Sequence, residues 1–191
     1  MDKTTVLFAG NVFYAGSVQQ DLYVKNVLRE GSKRNYMKLY YRISDKSYPK
    51  HKLIGADKET CLMNFIKAFA PVIFGSDGPP AEDHIPPLSI ICDNCERKTI
   101  KMIQQTGLPY TVTVEGNAGS LWKTLLLAMK EGKDEDIVYF CEDDYLHLGS
   151  APQFLEEGLQ HADYVTLYDH PDKYTKFYHG GEFSKVIKTA S

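Results

Sequence analysis

From residue 88 onward the apolar positions alternate between short continuous runs and stretches with helical spacing. Leu88 to Cys92 is a run of the kind that forms a buried strand, and Glu96 to Gln105 follows with Ile100 and Ile103 on one helical face. Tyr110 to Val114 alternates as a β-branched strand does. Asn117 to Lys130 carries the strongest helical pattern: Leu121, Trp122, Leu125, Leu126 and Met129 are its apolar positions, Asn117 or Ser120 its cap, and Gly132 its stop. Ile137 to Cys141 is the next strand, Pro152 to Gln160 a further helix and Tyr164 to Tyr168 a further strand. Upstream, Met37 to Ile43 reads as a strand, Lys58 to Ala70 as a helix, and Gly75 to Pro87 as a loop rich in proline and glycine. Thr5 to Ala9 and Val18 to Arg29 read as a strand and a helix that the pattern leaves unplaced. Repeated strand and helix units of this length predict an α/β fold, a mainly parallel sheet flanked by helices on both faces.

The 191 residues, 43% hydrophobic and 25% charged, suit one globular domain spanning 1–191. The chain stops at Ala190-Ser191 without a polar tail, which suggests a domain of a longer chain with further domains. A net charge of −3 and a pI near 6.1 argue against a nucleic-acid partner, whose phosphates call for a basic surface. Charge is unevenly spread: residues 25–52 hold nine Lys and Arg, and residues 131–172 hold twelve Asp and Glu against Lys133 alone. Two such segments either face one another across a site for an anionic, metal-bound ligand or form two solvated faces. No apolar run is long enough for a membrane span, and Val6 to Ala9 is too short for a signal peptide, so a cytoplasmic location is expected. Cys92-Asp93-Asn94-Cys95 lacks the second ligand pair that zinc requires. The four cysteines therefore read as free core thiols.

Chemistry concentrates where the strands end. Glu142-Asp143-Asp144 closes the run Ile137 to Cys141, and three carboxylates at a core edge call for a cation, or else mark a solvated turn. If the strand continues through them, Glu142 and Asp144 share a face and can grip a divalent ion, while Asp143 points the other way. In a parallel sheet, ligands bind at the carboxyl ends of the strands. Asp93 and Asn94 stand at one such end, suited to a base or ribose. Glu115-Gly116-Asn117-Ala118-Gly119-Ser120 opens a helix at another, where backbone N–H groups favour an anion and Lys123 lies within reach of a phosphate. Asp169, just after the last expected strand, is placed either as a general base for an acceptor hydroxyl or as an acceptor contact.

The order strand-Asp, strand-Gly-Asn-x-Gly-helix, strand-acidic triplet, over roughly residues 36–170, resembles GT-A fold nucleotide-sugar glycosyltransferases. Within them it is similar to the glycosyltransferase domain of chlorella-virus proteins that glycosylate the viral capsid. The resemblance implies a Rossmann-like GT-A sheet, a UDP-sugar donor carrying a hexose or deoxyhexose, a glycan or glycoprotein acceptor, and Mn²⁺ or Mg²⁺. It assigns Asp93 to the base, Asp143 to the ribose and Asp144 to the metal. It makes His179 a candidate third ligand after Glu142, although an exposed loop histidine is the plainer reading. The triplet departs from the family in starting with Glu. The first strand also ends in Arg42-Ile43-Ser44-Asp45 rather than Pro-x-x-Asn, which leaves Arg42 and Ser44 as donor-site candidates by position. Two alternatives stand beside this reading. A sugar-1-phosphate nucleotidyltransferase shares the fold style, yet Gly10 to Gly16 lacks its phosphate-loop pattern. A non-catalytic nucleotide or carbohydrate module is the other.

Overall fold

The computed structural model describes residues 37–46, 55–75, 86–133, 136–162 and 164–167, together with the strand at 5–9. Five strands form the sheet: β1 Thr5–Ala9, β2 Met37–Ser44, β3 Leu88–Asp93, β4 Tyr110–Thr113 and β5 Ile137–Glu142. Their order is β1-β5-β2-β3-β4, and every pair is parallel. Five helices connect or follow them: α1 Lys58–Ala68, α2 Ala70–Phe74, α3 Arg97–Gln104, α4 Gly116–Glu131 and α5 Ala151–Leu159. This is the expected α/β arrangement of Rossmann type.

Burial on both faces explains why β2, β3 and β5 read as continuous apolar runs. On one face Tyr41, Ile43, Tyr139 and Cys141 meet Phe65 and Phe69 of α1 and its cap, Ile103 of α3, and Leu155 and Leu159 of α5. The rings of Phe65 and Phe69 lie 4.8 Å apart, and that of Phe69 lies 5.1 Å from Tyr139. The opposite face holds a smaller cluster, Tyr40, Ile91, Val138 and Phe140, under α4.

Three expectations are corrected in detail. The helix expected over Lys58 to Ala70 breaks at Phe69, because Pro71 has no N–H to continue the ladder, and α2 restarts beyond it. Neither Asn117 nor Ser120 caps α4: the helix begins at Gly116, whose φ of 75° turns the chain, and both residues lie inside it. Its buried stripe is Ser120, Thr124 and Ala128, while Leu121, Trp122, Leu126 and Met129 are exposed. Tyr40 and Phe140, stacked at 5.3 Å, already fill the space below, so the helix contributes small side chains there. Finally, 164–167 form no strand. Val165 instead packs on α5, where a methyl group at Gly158 would come within 2.8 Å of Val165 Cγ1. Tyr168 and the expected helix Val18 to Arg29 lie outside the described residues.

The topology fixes which strand ends are neighbours. From β2 the chain steps to β3 and β4 in one direction, then crosses back to lay β5 on the other side of β2. The carboxyl ends of β2 and β5 therefore lie side by side, with the helices that follow them, α1 and α5, packed on the same face of the sheet.

Candidate functional site

The carboxyl ends of β2 and β5 bring together Ser44, Asp45, Asp143 and Asp144, with the first residue of α1, Lys58, reaching across them. Asp57 caps α1 by accepting from the Thr60 N–H at 2.7 Å, which aims the first turn at this edge. The Lys58 ammonium donates to Asp143 Oδ2 at 2.5 Å and to the Ser44 carbonyl, and stands 3.9 Å from Asp45 Oδ1. Asp143, buried, also accepts from the Ser44 N–H at 3.3 Å. Asp45 in turn accepts from the Glu96 N–H at 2.7 Å, tying the end of β2 to the start of α3.

Only the first residue of the acidic triplet belongs to the strand. β5 ends at Glu142, and Asp143 and Asp144 lie in the turn beyond it, so the two-residue alternation that placed Glu142 and Asp144 on one face stops short. Glu142 is the register partner of Arg42 and forms an ion pair with it. The Arg42 guanidinium, 8% exposed, also donates to the Asn117 carbonyl at 2.5 Å and to Ser120 Oγ at 3.1 Å. Arg42 thereby locks β2, β5 and the first turn of α4 together. Among the described residues, Arg42 pairs with Glu142 and Lys58 with Asp143. Among the described residues no group of three or more His, Cys, Asp or Glu gathers around a metal position. A divalent ion here would rest on Asp144, with Asp143 beside it, and on oxygens supplied by a ligand. That fits the way Mg²⁺ is commonly held, by one or two carboxylates plus substrate phosphates.

Asp93 sits at the end of β3 and is 1% exposed. Its Oδ1 accepts from Thr113 Oγ1 and the Glu115 N–H, both at 2.9 Å, and from the Gly116 N–H at 3.2 Å. Its observed work is to hold the turn between β4 and α4. Asn94 beside it is the one non-glycine residue with positive φ among those described, at 50°, and its amide reaches Asp93 Oδ2 at 3.2 Å. Asn117 is exposed, with its carbonyl taken by Arg42. Lys123 is not among the residues gathered at the ends of β2 and β5. It pairs with Glu115 at 3.2 Å and, with Lys130, Leu126 and Ile91, lines a separate groove of about 240 Å³ between α4 and β4. Asp169 and His179 lie outside the described residues.

No family model, no curated protein and no solved structure matches the chain. No helix among the described residues is long and apolar enough to cross a membrane.

Several residues at this edge carried no signal that the sequence reading used. Lys58 is one. The residues that fasten the loop after the triplet are others: Asn64 of α1 accepts from the His147 N–H at 2.5 Å and donates to its carbonyl at 3.1 Å. The His147 ring lies edge-on to Phe65 and Phe69, at 5.4 and 5.5 Å, and its Nε2 shares a hydrogen bond of 2.8 Å with Tyr139 Oη. Burial lowers its pKa to about 4, so the ring is neutral at pH 7. Helix α1 thus anchors the acidic loop at two points, Lys58 on Asp143 and Asn64 on His147. A capped helix preceding a strand-end acid was the available clue to Lys58; the Asn64 clamp spans 83 residues and leaves no local trace.

Proposed function

We propose that the chain is a glycosyltransferase that takes a hexose or deoxyhexose from a UDP-sugar and passes it to a glycan or glycoprotein acceptor. The observation that carries this reading is the gathering of Ser44, Asp45, Lys58, Asp143 and Asp144 at the carboxyl ends of two adjacent parallel strands, the edge where ligands bind in open parallel sheets. Asp143, in the turn that follows β5, is the proposed ribose contact. The resemblance assigns the base to Asp93; in this reading it shapes the turn that the base meets, with the partly buried Asn94 beside it. Mn²⁺ or Mg²⁺ held by Asp144 and the diphosphate would supply Lewis-acid stabilisation of the leaving group. Arg42 keeps Glu142 and the start of α4 in register, so that the backbone around Gly116 faces the same edge. Asp169 is the proposed base or acceptor contact, and His179 the proposed further ligand, both on the resemblance alone.

Uptake of the sugar is tested by incubating the protein with a panel of UDP-sugars and simple glycosides, with and without Mn²⁺. Release of UDP dependent on Mn²⁺ and lost in Asp144→Asn supports the reading. Binding of UDP without any release, metal present, would instead favour a non-catalytic binding module.

A further inference from the structure

Four carboxylates, Asp45, Glu142, Asp143 and Asp144, lie at the carboxyl edge of β2 and β5, and among the described residues Arg42 and Lys58 form ion pairs there. A diphosphate approaching these carboxylates needs a cation that faces it. Of the cations singled out from sequence, neither serves. Arg42 is 8% exposed and holds Glu142, the Asn117 carbonyl and Ser120 Oγ at once; Lys123 pairs with Glu115 beside the separate groove. Lys58 differs from both. Its ammonium lies between the ends of the two strands, bound to Asp143 Oδ2 and the Ser44 carbonyl, and its side chain keeps 24% of its surface open.

We propose that Lys58 is the diphosphate-binding residue at this edge, held on Asp143 in the unliganded protein and shared with the anion when one binds. The inference rests on the nucleotide-sugar reading of the same site. Lysine suits the exchange: three rotatable donors on a flexible stem let one head group keep a carboxylate contact while a second is turned to an incoming oxygen. The cap at Asp57 fixes the base of that stem, so the reach of the ammonium is confined to the edge. Asp143 then does two jobs. It stores the ammonium in the empty protein, and it orients it when the ligand arrives.

The test is calorimetric titration of UDP and of uridine, at fixed Mg²⁺, into the wild type and into Lys58→Met, Lys58→Gln and Lys58→Arg. Charge-assisted hydrogen bonds of this kind correspond to a loss on the order of tenfold to a hundredfold in affinity. UDP affinity is expected to fall by about that factor in Lys58→Met and Lys58→Gln, to stay within about threefold in Lys58→Arg, and uridine affinity to be unchanged throughout. Melting curves of each variant show that the fold persists, and Lys58→Gln, which can still hydrogen-bond Asp143, serves if Lys58→Met does not fold. Equal UDP affinity in wild type and both neutral variants overturns the proposal while leaving the nucleotide-sugar reading in place. A wild type that binds UDP no better than uridine overturns both. The expected pattern in a protein that releases UDP from no sugar donor upholds Lys58 and overturns the transferase reading alone.

Discussion

Asp93 and His147 show how much a single buried polar group decides near this site. Three donors converge on Asp93 Oδ1, two of them backbone N–H groups at the entry to α4. Asp93→Asn keeps the shape but presents an amide where a charge was solvated, and Asp93→Ala strips all three donors of their acceptor. We expect losses of about 2 and about 3 kcal/mol respectively in urea unfolding, from the cost of unsatisfied buried groups. His147 makes stability depend on pH. Its folded pKa, lowered by burial to about 4, lies below the ordinary histidine value of 6.5, so the unfolded chain binds the proton first as pH falls. Stability from this group is complete above about pH 6.5, declines from there to about pH 4 and levels off below, an effect of at most about 3 kcal/mol. Urea titrations at intervals from pH 7 to pH 4 should show that slope in the wild type and a shallower one in His147→Phe. Parallel slopes would remove His147 as the cause.

At the scale of elements, the joints are polar where they touch the site and apolar elsewhere. The Arg42–Glu142 pair fastens β2 to β5, and Arg42 alone fastens both to α4. Removing one partner leaves the other half-buried and uncompensated, so Arg42→Met should cost about 3 kcal/mol, while Arg42→Met with Glu142→Gln should recover more than half of that loss. A double variant as unstable as the single one would mean that Arg42 works mainly through Asn117 and Ser120. Gly158 in α5 is a second joint. Alanine there gains up to about 1 kcal/mol of helix propensity but collides with Val165, and the collision should dominate, lowering stability by about 1 to 2 kcal/mol. The elements themselves were largely legible, because β2, β3 and β5 are buried on both faces and write continuous apolar runs. What misled was α4: its large apolar residues mark its outer side, since Tyr40 and Phe140 beneath it leave room only for serine, threonine and alanine. The expected strand at 164 onward fails for a related reason. An alternating pattern records a buried face, and Val165 finds that burial against a helix rather than in the sheet.

Across the whole molecule, order and direction of the strands could be argued from sequence, but their neighbours could not. The return of β5 to the far side of β2, with β1 beyond it, brings the ends of β2 and β5 together, and it depends on contacts between residues about a hundred positions apart. For the same reason the acidic triplet was legible as a site and its compensation was not. Arg42 lies 100 residues from Glu142 and Lys58 lies 85 from Asp143, so neither ion pair leaves a local trace in the sequence, and the metal stays a proposal beside them. What remains central is the proposal that this edge binds a nucleoside diphosphate, with Asp144 and a divalent ion completing it. The most direct measurement is calorimetric titration of UDP into the wild type and Asp144→Asn, each with and without Mn²⁺. The account predicts that Mn²⁺ tightens UDP binding to the wild type by about tenfold or more and leaves Asp144→Asn unaffected. Equal response of the two proteins to Mn²⁺, or no UDP binding by the wild type under either condition, would contradict it.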